Sequence, residues 1–369
     1  MFRKIDMMSA PREKPRHALL STLDGAIFWV VAALPLALAV VLIATLASFT
    51  PARADDDAAC GGKNLLTDLQ KSDPAKYATF VAEGDKVLNG RSIFWKIDKP
   101  GVKTSWLLGT MHVTDPRVLV MPKGASEADG KADTIIVESD EILDEKKATM
   151  AILARPELTM LANGATINSL LPPADVAKLE AGLAKRGIPL GAVSHMQPWM
   201  ISSVVASPSC ELSRKAAGAQ FLDQKIATDA VAASKPVKGL ETLVDQLQAM
   251  ADLPVAFHLK SLIETLQLGD KMNDVTETMT DLYLSGNVGA TMPMLKAVTP
   301  DGDDVDSDSD YATFEQRIIL DRNKVMAERA APILANGNVF MAVGALHLSG
   351  EKGLVELFRK QGFTVTAVD

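Results

Sequence analysis

Two apolar runs far apart in this chain end in the same way. WLLGTMH (106–112) and FMAVGALH (340–347) each read as apolar run, Gly, two residues, His. A short apolar run punctuated in this way predicts a buried strand giving way to a loop. Two more runs, TIIVE (134–138) and PVKGLE (236–241), end in a carboxylate, Glu138 and Glu241. IFWKI (93–97), SWLLG (105–109) and TVTAV (364–368) add further strand patterns. Between them lie helical patterns, including TLVDQLQAM, the stretch around 257–283 and a long one over 314–334. Strands alternating with helices predict an α/β fold with a sheet as scaffold. In such folds, polar residues where strands become loops mark the ordinary place for a site.

The chain has five histidines, and His112 and His347 occupy the same local frame. Imidazole nitrogens bind Zn²⁺ and related ions, and carboxylates complete such sets. His112 and His347 with Glu138 and Glu241 would leave a position for water, whose pKa a metal lowers. A Glu not committed to the metal would serve as general base. The glycine before each His would let the backbone bend sharply. The competing readings are structural: a strand-end histidine, and helix-cap or salt-bridge roles for the two glutamates. Arg322 and Asn323, in IILDRNKVMAER, face the same choice between a solvated helix face with i,i+4 pairs and an inward arginine stabilising negative charge. His195 reads as structural or rim-lining, and His258 as packed in an apolar helix.

Other chemistries lack their signs. HExxH, GxSxG, GxGxxG and the P-loop are absent. Asp304, Asp306, Asp308, Asp310 and Glu315 fall in a calcium-loop frame, but Ser309 stands where that turn needs Gly. The segment is therefore expected to be a hydrophilic acidic loop over 300–311.

Residues 1–54 carry six basic and three acidic side chains, leaving 32 basic against 43 acidic over 55–369. An acidic body gives no electrostatic reason to bind nucleic acid. No charge occurs from Gly25 to Ala52. A helix over its central 22 residues covers roughly the ~30 Å of a bilayer core at ~1.5 Å per residue. Ala52 and Ala54 then offer a small-x-small cleavage pattern before Asp55. Residues 1–54 thus read as a signal peptide or as a membrane anchor over 25–50, with a buried helix as the third reading. Either of the first two sends 55–369 to a periplasmic or other extracytoplasmic space, with the membrane touched only through the N-terminal segment. Cys60 and Cys210 are the only cysteines, and in an oxidising space they are expected to pair.

The matching pieces WLLGTMHVTDP, TIIVES, AQFLDQKI, KGLETLVDQL, RNKVMAER and VFMAVGALHLSGEKGLVELFRKQGFTV resemble, in this order, the TraB/GumN family, related to the TIKI proteases of animals. The resemblance runs from about residue 60 to the C-terminus. It implies a TIKI-like α/β fold: a mixed central sheet with pseudo-equivalent halves and a helical layer. It also implies a metal-dependent hydrolase, a peptidase acting on a peptide or protein substrate, with a divalent ion such as Zn, Mn or Co. His112 and His347 become the expected ligands, with Glu138 and then Glu241 as carboxylates, and Arg322 gains a functional role. Asp223 matches a family position and is read as a ligand, a supporting residue behind the ligands or a structural residue, with Asn323 as a further supporting residue. Two alternatives stay open: a non-catalytic binding or regulatory protein on the same fold, and a small-molecule esterase.

Overall fold

The computed structural model describes residues 60–298 and 305–368, without the side chains of Glu145, Val298 and 305–308. The expected signal or anchor segment lies outside the described residues. Among the described residues, no helix is long and apolar enough to cross a membrane.

Among the described residues, six strands form one mixed sheet: β1 (Phe94–Lys99), β2 (Val102–Thr110), β3 (Thr134–Val137), β4 (Val237–Gly239), β5 (Val339–Gly344) and β6 (Thr364–Ala367). Their order is β4-β3-β5-β2-β1-β6. The four strands β4, β3, β5 and β2 run parallel, while β1 is antiparallel to both β2 and β6. Gly101, at φ +77°, makes the tight β1–β2 turn that the KPG sequence predicts.

Side chains alternate across a strand with a period of two, and here both faces are covered. Leu107, Ile136, Met341 and Val343 pack on one face against Met326, Ala330, Val355 and Phe358 of the Asp321–Leu334 and Leu354–Lys360 helices. Leu108, Ile135, Val137, Phe340 and Ala342 pack on the other against Ala125, Ala128, Leu222, Ile226 and Ala230. Consecutive residues of one strand therefore enter different cores, which is why these runs are apolar throughout rather than alternating. Three further helices, Pro173–Ala184, Pro198–Val205 and Val255–Leu268, build a separate apolar cluster around Leu179, Leu183, Ile201 and Leu262.

Cys60 and Cys210 form a disulfide with their Cα atoms 5.6 Å apart. It fastens the start of the described chain to the Ser209–Ala216 helix. The acidic segment departs from expectation. Residues 299–304 lie outside the described residues; from Val305 to Phe314 the segment is helix, where composition predicts a loop.

Candidate functional site

All four parallel strands end on the same edge of the sheet. Glu138 follows β3, Glu241 lies two residues past β4, His347 three past β5 and His112 two past β2. Thr110 pairs with Gly344 across β2 and β5, so the two GxxH frames are staggered by one residue. The glycines do not act as expected. Gly344 has φ −51° and neither it nor Gly109 is left-handed. Both are needed for space instead. A Cβ on Gly109 would lie 3.0 Å from Ala345 Cα and Leu348 Cδ2, and one on Gly344 would lie 3.0 Å from Glu138 Oε1.

Local sequence fixes the two glutamates. The backbone continues to pair beyond the strand ends, Glu241 N–H donating to Glu138 O at 2.7 Å. Thr242 and Asp245 then form a reciprocal cap on the Leu243–Ala251 helix, which holds Glu241 at its start. Glu138 Oε1 accepts the Gly344 N–H at 2.7 Å, and Oε2 accepts from Arg322 Nη2 at 2.7 Å and Gln246 Nε2 at 3.2 Å. Arg322 also donates from Nε and Nη2 to Glu241, the shortest bond being 2.7 Å, and from Nη1 to Ile318 O at 3.2 Å. Its side chain is 14% exposed, so this is an inward arginine and not part of a solvated face. It follows a π-helical turn over Glu315–Leu320, a feature frequent at functional sites.

His347 is buried, and its Nδ1 lies 2.7 Å from Asn323 Oδ1. Asn323 Nδ2 donates to Lys352 O at 3.0 Å. That bond turns Oδ1 toward the ring, so Nδ1 carries the proton and Nε2 keeps its lone pair. Nε2 lies 3.6 Å from Glu138 Oε1. His112 forms the matching pair, with Nε2 3.6 Å from Asp223 Oδ2, and its side chain is 53% exposed. Its ring leans on Phe221 at 5.2 Å. Asp223 is buried in the first turn of the Leu222–Ala232 helix, where Thr110 Oγ1 donates to Oδ1 at 2.7 Å. Asp223 Oδ2 is buried with no hydrogen-bond partner among the described residues.

Electrostatics separate these groups. Burial resists the charge on Glu138, but the two imidazoles, Arg322 and the Gly344 N–H hold its pKa at about 2. Burial lowers His347 to about 4, against the pull of Glu138, so its neutral form prevails. For His112 desolvation is outweighed by Asp223 and then Glu138, which lift it to about 9. Burial raises the pKa of Glu241 despite its bonds to Arg322.

His112, Glu138, Arg322 and His347 line one side of a cavity of about 280 Å³ whose other walls include Met279, Tyr283, Phe314 and Ile318. Glu241 and Asp223 do not line it; Glu241 is engaged by Arg322 rather than by a histidine. Among the described residues, no three His, Cys, Asp or Glu side chains gather as a metal-binding cluster. The donors stand instead as two His–carboxylate pairs, a set of imidazole nitrogens and carboxylate oxygens that suits a borderline or hard divalent ion in chemical type.

Thr110, Gln246 and Tyr283 were not singled out by the sequence, though all three support the site. Tyr283 donates to Gly109 O at 3.0 Å. Thr110 lies inside GTMH and Gln246 inside KGLETLVDQL, so position within those blocks was the available signal. Tyr283 had none. His258 is buried in its helix, with Nε2 2.9 Å from Met250 O, and His195 is exposed with Nδ1 3.1 Å from Ala165 O; neither joins the pocket.

The chain is similar to known proteins over most of its length. The "Metalloprotease TIKI homolog" of Nematostella vectensis is 24% identical over 76% of this chain and 68% of its own length. "Metalloprotease TIKI2" and "Metalloprotease TIKI1" of Danio rerio are 22% and 23% identical over 74% of this chain. The chain covers 60% and 62% of those two proteins. No solved structure matches it. The family model described as "TraB/PrgY/gumN family" matches residues 93–367, which include every strand and all of the site residues above, and the chain belongs to that family.

Proposed function

We propose that this chain is an extracytoplasmic, metal-dependent hydrolase acting on peptide bonds. The observation that carries this reading is the presentation of two His–carboxylate pairs, each at 3.6 Å, at one end of four parallel strands. A separation of that size exceeds a hydrogen bond and suits two ligands on a common ion, each at ~2.0–2.2 Å from it. His112 and His347 through Nε2, with Glu138 and the orphaned Oδ2 of Asp223, would hold the ion. A Zn, Mn or Co ion would polarise a carbonyl and lower the pKa of a water.

The chain's own groups divide the remaining work. Glu138, held at about 2, is suited to ligand duty and too weak a base to take a proton near neutrality. Arg322 lines the cavity and leaves one Nη1 N–H without a partner among the described residues, a donor for developing negative charge on substrate. Glu241 holds Arg322 in place. Family membership and the Cys60–Cys210 disulfide support the extracytoplasmic setting. The relatives' names support a peptide or protein substrate.

The absence of a three-donor cluster among the described residues favours one rival, a binding or regulatory protein on the same fold. Metal titration of the full chain separates the two. Near-stoichiometric uptake of Zn²⁺, Mn²⁺ or Co²⁺, lost in His112→Ala/His347→Ala with the fold retained, and metal-dependent cleavage of a peptide library support the hydrolase. A well-folded wild type that takes up none of these ions gives the rival precedence.

A further inference from the structure

A buried carboxylate outside the site bears directly on one of its ligands. Glu211 lies in the first turn of the Ser209–Ala216 helix, immediately after the disulfide-bonded Cys210. Its side chain is 5% exposed. The Thr114 N–H donates to both of its oxygens, at 2.9 and 3.0 Å, and Thr114 Oγ1 donates to Oε2 at 2.7 Å. Lys215, one turn along the same helix, lies 3.1 Å from Oε1 and reaches His112 O at 3.4 Å. The helix thus grips the loop after β2 at two points, the His112 carbonyl and Thr114, both just C-terminal to the His112 side chain.

His112 needs such a grip more than His347 does. His347 is buried and its ring is held by Asn323. The His112 ring is half exposed and touches Phe221 and Asp223, while its backbone leaves the sheet at Thr110. The loop is also anchored further along, where Arg117 pairs with Asp115 and Glu277. Between the end of β2 and that anchor, Glu211 is the group that satisfies the Thr114 N–H and hydroxyl. A buried carboxylate with a charge partner and three donor contacts is a strong local restraint, because charge-assisted hydrogen bonds are shorter and stronger than neutral ones.

We propose that Glu211 is a positioning residue for His112, setting the loop 110–114 so that the imidazole faces Asp223 and the cavity. The role rests on His112 being a working member of the proposed site, and its test does not depend on turnover. Amide hydrogen exchange in the full chain reads the loop directly, comparing a peptide covering 110–116 with one covering 344–350. In Glu211→Ala the 110–116 peptide exchanges about ten-fold faster or more, as expected for loss of a hydrogen bond of about 1.4 kcal/mol, while 344–350 keeps its wild-type rate. Thr114→Val, which deletes the hydroxyl and retains the N–H, gives a smaller acceleration confined to the same peptide. Glu211→Gln restores much of the protection, since one amide oxygen still accepts from Thr114. Zn²⁺ affinity in the same variants falls in the same order. Unchanged exchange over 110–116 in both Glu211→Ala and Thr114→Val overturns the proposal. Equal acceleration over 344–350 also overturns it, since that marks a general packing role. If the wild type takes up no Zn²⁺, the metal reading fails, while the exchange comparison still decides what Glu211 does.

Discussion

His347 donates its Nδ1–H to Asn323 Oδ1 across 2.7 Å, and Asn323 has no exposed surface. The amide is itself oriented by Lys352 O, so the tautomer of the imidazole is set from the Asp321–Leu334 helix. Supporting partners of this kind are worth about 10–100-fold in metal affinity. Asn323→Ala is therefore expected to weaken Zn²⁺ binding by about that range. Competition with a chelator measures it, and an unchanged affinity would remove Asn323 from the site's support.

Arg322 is shared between Glu138 and Glu241, whose side chains are 7% and 3% exposed. Removing one partner of a buried ion pair typically costs about 3–5 kcal/mol, because the other charge stays buried. Arg322→Ala should therefore unfold at markedly lower denaturant. Arg322→Lys should lose a substantial part of the same stability, since an ammonium lacks the planar fork that meets two carboxylates. A midpoint for Arg322→Ala equal to wild type would mean that the carboxylates find other partners.

His258 supplies a pH dependence away from the pocket. Burial lowers its pKa from 6.5, against the bond to Met250 O. The folded state then binds fewer protons than the unfolded state as pH falls below the unfolded value. Its contribution to stability is full above 6.5 and declines as pH drops toward the lowered folded value. Thermal unfolding at about pH 7.5 and about pH 5, on either side of an ordinary histidine pKa, should show a loss that is smaller in His258→Gln. An identical pH dependence in the two proteins would assign the acid sensitivity elsewhere.

The Cys60–Cys210 bridge closes a loop with a sequence separation of 150. Loss of a native disulfide typically costs about 2–5 kcal/mol, with longer loops at the upper end in the chain-entropy model. Cys60→Ser/Cys210→Ser should show a lower unfolding midpoint than the oxidised wild type. Matching midpoints would indicate that the segment from Cys60 is held by Lys63, Asn64 and Leu65, which hydrogen-bond to Asp274, Asp281 and Thr278.

Strand positions were legible because each strand here is a short apolar run bounded by turn residues. The run at 134–138 ends within a residue of the strand it predicts, and the apolar run that begins at 340 starts within a residue of its strand. Their polar ends were legible for the same reason, since Glu138, Glu241, His112 and His347 follow directly in sequence. Over 305–311 the acidic stretch is helix where composition predicts a loop, because composition reports solvation, and a solvated helix and a solvated loop have similar composition.

The amino-acid sequence alone determined that apolar strands alternate with helices and that His and Glu stand where those strands end. Tertiary structure alone decided which of these residues face each other. Parallel pairing in the order β4-β3-β5-β2 sets His347 against Glu138 and His112 against Asp223, and it gives Glu241 to Arg322. Strand order and register are long-range properties, fixed by which apolar faces bury together, and local periodicity carries no record of them.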